Sequence, residues 1–256
     1  MKLSRILIPF LLALPLQAAP AKAAGFAPTQ AELAALPAYC AARLNERSDA
    51  FKSWQASMGG DFLHIHHYCF ALNFMNRARG MGSGKDKQGV LGAAMTNFEY
   101  VLKYTQPGFY LRPEVLMNRG MTQSMRGNHG AAVSDLLTAI EMNPGLPRAY
   151  MALADLYVRQ KNRSKALETV TAGLRHNPDT KSLQRRYTEL GGKLPYPEPL
   201  QPVAVEAPAG MPDATPAPAA AESAEVPLPA TTPAEQPGTV PQLGAPKNPY
   251  CRFCPD

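Results

Sequence analysis

After its first two dozen residues the chain has no apolar run long enough to cross a bilayer, so no membrane span is expected in the mature protein. Dense runs of lysine and arginine with interleaved aromatics are missing, which makes nucleic acid a poor partner. There is no glycine-rich phosphate loop, no cofactor motif, no HExxH and no zinc-finger spacing. No nucleophile–base pair or pair of acids stands at a spacing that supports catalysis, so an enzyme is not expected. Cysteine is sparse: four residues, Cys40, Cys69, Cys251 and Cys254, none of them following the opening apolar run where a lipid anchor would need one.

What is present divides the chain by composition. The opening has Lys2 and Arg5, an apolar core from Ile6 to Leu16, and Ala21-Lys22-Ala23 as a small-x-small cleavage site. That layout predicts a signal peptide over 1–23 and a mature protein in a periplasm or outside the cell. From Pro195 onward, 16 of the 26 prolines fall within 62 residues, interleaved with alanine, glutamate and threonine. Such a segment buries too little apolar surface to offset its ordering entropy, which predicts a disordered linker over 193–248 before the terminal NPYCRFCPD. The same tail carries 7 acidic residues against 2 basic ones, whereas residues 24–194 carry a net charge of +8. A basic domain of this kind suits an acidic partner, or its own tail.

The middle of the chain repeats. PEVLMNRGMTQSMRGNHGAAVSDLLTAIEMNPGL (113–146) and PRAYMALADLYVRQKNRSKALETVTAGLRHNPDT (147–180) are both 34 residues long and align without a gap. Gly120 meets Ala154, Ala132 meets Ala166, Leu136 meets Val170, Ala139 meets Gly173, and Asn143-Pro144 meets Asn177-Pro178. Small residues at the first two pairs let two helices of a hairpin approach closely. The proline ends the second helix and starts the turn to the next unit. This pattern closely resembles the tetratricopeptide repeat, most strongly from Ala149-Tyr150 through Asp155-Leu156-Tyr157 with Ala166 and Pro178. In the unit before it, Arg119 and Gln123 replace residues that are usually apolar. A degenerate third copy lies upstream. HHYCFALNFMNRARG supplies its first helix and GVLGAAMTNFEYVLKYT its second, with a long loop GMGSGKDKQG predicted between them.

The resemblance covers roughly residues 64–180 and implies an all-α solenoid of about three helical hairpins, with repeats near 64–107, 113–146 and 147–180 inside a domain over 63–192. The segment 24–62, broken at Pro37, and the helix DTKSLQRRYTELGGKL are expected to cap its two ends. It further implies a protein-interaction scaffold that takes a peptide or protein in a groove lined by the first helices, with no cofactor. The inward positions expected there are Tyr68, Leu72 and Met75, then Met117, Met121 and Met125, then Met151, Asp155 and Arg159. Methionine is flexible and polarisable, and a methionine-lined groove adapts to several apolar peptides. The family's lysine-based clamp for a terminal carboxylate is not expected, because methionines occupy the lysine-type positions.

The stretch DFLHIHHYCF raises a competing possibility, metal handling or thiol redox chemistry. On a helix with His64 at 0°, His66 falls at about 200°, His67 at about 300° and Cys69 at about 140°. One ion cannot be held by all four, which leaves a two-ligand site through His64 and His67 as the metal alternative, against packed histidines. An even number of cysteines in an oxidising compartment predicts disulfides, and a Cys40–Cys69 bond would staple the N-terminal segment onto the first hairpin. For the terminal motif at 249–256, Cys251 and Cys254 leave three readings open: a local disulfide rigidifying a docking peptide, half of a zinc site, or a redox dithiol.

Overall fold

The computed structural model describes residues 25–200. The signal-peptide reading, nearly all of the linker and the Cys251/Cys254 pair lie outside the described residues. Within them the chain forms ten α-helices and no strand. These are α1 Gln30–Ala34, α2 Ala38–Arg43, α3 Asp49–Met58, α4 Ile65–Arg79, α5 Lys85–Tyr104, α6 Arg112–Met125, α7 His129–Met142, α8 Pro147–Arg159, α9 Arg163–His176 and α10 Lys181–Glu189. A 3-10 turn, Gly59–His64, leads into α4.

Local chemistry sets the helix ends. Thr29 and Glu32 form a reciprocal capping box at the start of α1, with Thr29 N–H donating to Glu32 Oε2 at 2.7 Å. Pro37 separates α1 from α2, and the Ser48 hydroxyl caps α3 by accepting from Phe51 N–H. Gly59 leaves α3 at a φ of +60°, a conformation that a side chain would strain. Pro113 and Pro147 stand in the first turns of α6 and α8, where a missing N–H costs no hydrogen bond. The loop between α4 and α5 is shorter than the sequence suggests. Lys85–Gly89, read above as loop, forms the opening of α5, because Lys and Gln extend a helix readily, Asp86 suits the positive end of the helix in its first turn, and the exposed Gly89 meets nothing.

Consecutive helices pair as antiparallel hairpins, α4 with α5, α6 with α7 and α8 with α9, and α10 closes the far end against α9 and α8. Gly120 lies so close to α7 that an added Cβ would stand 3.0 Å from Leu136 Cγ. Gly173 does the same for α9 against Tyr150, at 2.9 Å. The Arg119 that breaks the apolar pattern is explained by its partner: it forms a two-pronged ion pair with Asp135 of α7, at 2.6 and 2.8 Å. Between hairpins, Asn177 Nδ2 donates to Pro144 O at 2.9 Å, which ties the two Asn-Pro turns together.

The core is a chain of three clusters. The first joins α1–α5 to the start of α6, around Phe62, Tyr68, Phe70 and Phe98. The second lies between α6, α7 and α8, and the third between α8, α9 and α10. Leu102 and Met121 pack against both the first and second clusters, and Ile140 and Tyr157 against both the second and third. The N-terminal segment is held by Arg77 of α4. It pairs with Glu32 at 2.6 Å and donates to the carbonyls of Gly25 and Ala27. That guanidinium holds the Glu32 carboxyl down at about 2.

Candidate binding groove

The first helices of the hairpins touch one another in series, α4 on α6, α6 on α8 and α8 on α10, so they form an inner row. Two adjoining pockets open on it. One, of about 340 Å³, is lined by Met121, Ser124 and Met125 of α6, Ala152, Asp155 and Arg159 of α8, Leu136 and Arg79. The other, of about 210 Å³, is bordered by Tyr39, Tyr68, Leu72, Met75, Asn118 and Arg148, among others, and again by Arg79. Arg79 is thus the post between them.

The methionine stripe is split between core and groove. Each step of four residues advances a helical position by about 40°, so an i, i+4 stripe winds around its helix. Met117 is 1% exposed and belongs to the second core cluster, while Met121 and Met125 turn out into the larger pocket. Met151 is half-buried against the third cluster, and its neighbour Ala152 lines the pocket in its place. Asp155 and Arg159 do line it. The Asp155 carboxylate is held by Arg186 of α10, and Arg159 donates to Ser124 Oγ at 2.6 Å. Tyr68, Leu72 and Met75 are buried and form the wall of the smaller pocket.

A family model for the tetratricopeptide repeat matches residues 125–187, from the end of α6 into α10. Over that stretch the chain matches the tetratricopeptide repeat, and its helices pair and stack as the hairpins of that repeat do. No curated protein matches the chain.

Around the smaller pocket of this helical array the polar groups are deep. Asn118 Nδ2 donates to Tyr68 Oη at 2.8 Å and to Glu114 O at 2.9 Å, yet its buried Oδ1 has no hydrogen-bond partner. Tyr39 Oη, beside the Tyr68 hydroxyl, is also buried without a well-formed hydrogen bond. Burial pushes both phenols upward, so they remain protonated donors. Burial also raises Glu114, against the pull of Arg148, whereas lost hydration and the charge of Arg148 lower Arg79. Arg79, Tyr39 and Glu114 are absent from the inward positions drawn from the sequence. Their signal was available in part: Arg148 stands in register with Glu114, and Ala152 with Asn118.

The histidines of HIHHYC lie away from this groove. His67 is stacked on Tyr100, ring centroids 3.6 Å apart, with Nδ1 at 2.7 Å from Asn97 Oδ1. His66 Nδ1 donates to Leu63 O at 2.9 Å, and its ring lies 4.3 Å from that of His67. His64 leans on Tyr100 and Tyr104. Among the described residues no group of three or more His, Cys, Asp or Glu is placed to hold a metal ion. Cys69 faces Cys40 of α2, with the two sulfurs 2.06 Å apart, a disulfide distance. Among the described residues no helix is long and apolar enough to cross a membrane.

Proposed function

We propose that this protein is an exported adaptor whose concave groove holds an extended peptide carrying carboxylates beside apolar side chains. It acts by binding, not catalysis. The observation that carries the reading is the pairing of chemistries along the inner row. Arg148, Arg79 and Arg159 stand one after another, and none has a carboxylate within 4.0 Å among the described residues, whereas Arg43, Arg77, Arg119 and Arg186 are all paired. Between them Met121 and Met125 offer a flexible apolar seat. Guanidinium groups recognise carboxylates through two parallel hydrogen bonds, which sets the peptide's register, while the methionines supply adaptable contact area. Export rests on the leader-like opening and is supported by Cys40 and Cys69 standing at disulfide distance.

Selection from a random peptide library tests the groove. The wild-type protein is expected to enrich peptides with Asp or Glu within three residues of a large apolar side chain. Met121→Glu and Arg79→Glu should each weaken binding of the winners by at least about tenfold, the loss of one buried contact or charge pair, with helical circular dichroism unchanged. Enrichment of nothing, or of peptides that Met121→Glu binds equally well, would sink the reading.

A further inference from the structure

We propose that the acidic part of the chain's own tail occupies this groove, with Glu222 and Glu225 against Arg79 and Arg148 and with Val226 and Leu228 over Met121 and Met125, so that outside ligands must displace it. The inference rests on the groove being a peptide site, and it names the resident occupant.

Charge supplies the first argument. Residues 201–246 contain five acidic side chains, Glu206, Asp213, Glu222, Glu225 and Glu235, and no lysine or arginine. Residues 25–200 contain 21 Lys and Arg against 14 Asp and Glu. The groove concentrates that excess, because Asp155 is committed to Arg186 while Arg79, Arg148 and Arg159 have no carboxylate within 4.0 Å among the described residues. Within the tail, AESAEVPLPA (221–230) alone places two carboxylates three residues apart and follows them at once with two apolar side chains, the order that the two pockets present.

An unsatisfied side-chain acceptor supplies the second. Asn118 is 3% exposed, yet its Oδ1 lacks a hydrogen-bond partner at the border of the smaller pocket. A buried polar atom left unpaired costs on the order of 1–3 kcal/mol. An extended segment offers its complement, a peptide N–H for Asn118 Oδ1.

Reach supplies the third. Leu200, the last residue described, donates its N–H to Arg175 O of α9 at 2.8 Å, which fixes the root of the tail to the end of the repeat stack. From there to Glu222 the chain can span up to about 65 Å, the reach of that many residues in polyproline form. A tether of this length holds a ligand at an effective concentration on the order of millimolar, so even a weak contact is well populated.

The test uses the full chain and a fluorescein-labelled synthetic peptide of residues 218–232, with binding read by anisotropy. Glu222→Gln/Glu225→Gln/Leu228→Ser in the tail should raise affinity for the labelled peptide at least tenfold over wild type, because the resident competitor is weakened. Arg79→Glu added to that tail variant should abolish the gain. Equal binding by wild type and the tail variant would overturn the tail as occupant while leaving the groove reading intact. Binding by neither would overturn both. An affinity that rises as the wild-type protein is diluted would assign the occupant to a second copy of the chain and overturn the intramolecular contact.

Discussion

His66 shows how a residue that looks chemical can be structural, and what that costs in acid. Burial, with the neighbouring His67 and Arg43 charges, lowers its proton affinity to about 3. His64 and His67 are lowered too, burial first in both. In the unfolded chain a histidine titrates near 6.5. The unfolded state therefore binds a proton through the interval from about 6.5 down to about 3 in which folded His66 does not. Its stability contribution is complete above pH 6.5 and is lost as pH falls. At pH 4.5 the loss from one such group is on the order of 2 kcal/mol. Urea unfolding at pH 7.0, 5.5 and 4.5 should show the decline, and His66→Gln should make it shallower, with the remainder due to His64 and His67. Glu32 does not confuse the result, because its depressed carboxyl titrates out lower, between about 4.5 and about 2. A wild-type stability that stays level from pH 7.0 to 4.5 would show that these imidazoles are not sequestered.

At the scale of helices, close approach decides which glycines matter. Gly173 and Gly89 both lie inside helices, where alanine is favoured by about 1 kcal/mol. A methyl group at Gly89 meets nothing within 4 Å, so Gly89→Ala should stabilise by about 0.5–1 kcal/mol. At Gly173 the same methyl meets three Tyr150 atoms between 2.9 and 3.2 Å. Tyr150 is itself buried and cannot swing aside. Overpacking of this kind costs about 1–3 kcal/mol, so Gly173→Ala should be net destabilising. Thermal melts of the two variants check the opposite signs; a stabilised Gly173→Ala would mean that α8 and α9 are further apart than described. This is also where the sequence was most legible. The gapless pair of 34-residue units puts Gly120 at a helix crossing and sets Gly173 in register with Ala139, because spacing along a chain reports which faces meet. It was silent on Arg79 and Tyr39, since the smaller pocket depends on how α2 is laid against α4 and α6, a rotation that no local period encodes. The methionine stripe failed for a related reason. Its four-residue period was read as a straight line, while the drift around α6 carries Met117 into the core.

Over the whole molecule, the three core clusters stacked end to end make stability a sum of neighbouring interfaces. Only a few side chains, such as Leu102 with Met121 and Ile140 with Tyr157, bridge one cluster to the next, so one end can loosen while the other holds. The N-terminal end is the irregular one: α1, α2 and α3 are short, and α1 has no buried residue of its own. Its attachments to α4 include the bonds of Arg77 to Glu32, Gly25 and Ala27, the packing of Phe26 on Phe70 and Phe74, and the contact of Cys40 with Cys69. A bond between those cysteines closes a loop over a sequence separation of 29, which stabilises by about 3 kcal/mol in the chain-entropy account. Alkylation without reduction should leave Cys40 and Cys69 unlabelled in protein taken from its native compartment. Hydrogen exchange after reduction should then show protection falling first in α1–α3 and the start of α4, while α8 and α9 stay protected. A uniform loss along the chain would mean that the repeats do not unfold as separable units. Labelling of Cys69 before any reduction would remove the staple and, with it, the support that the cysteine pair gives to export.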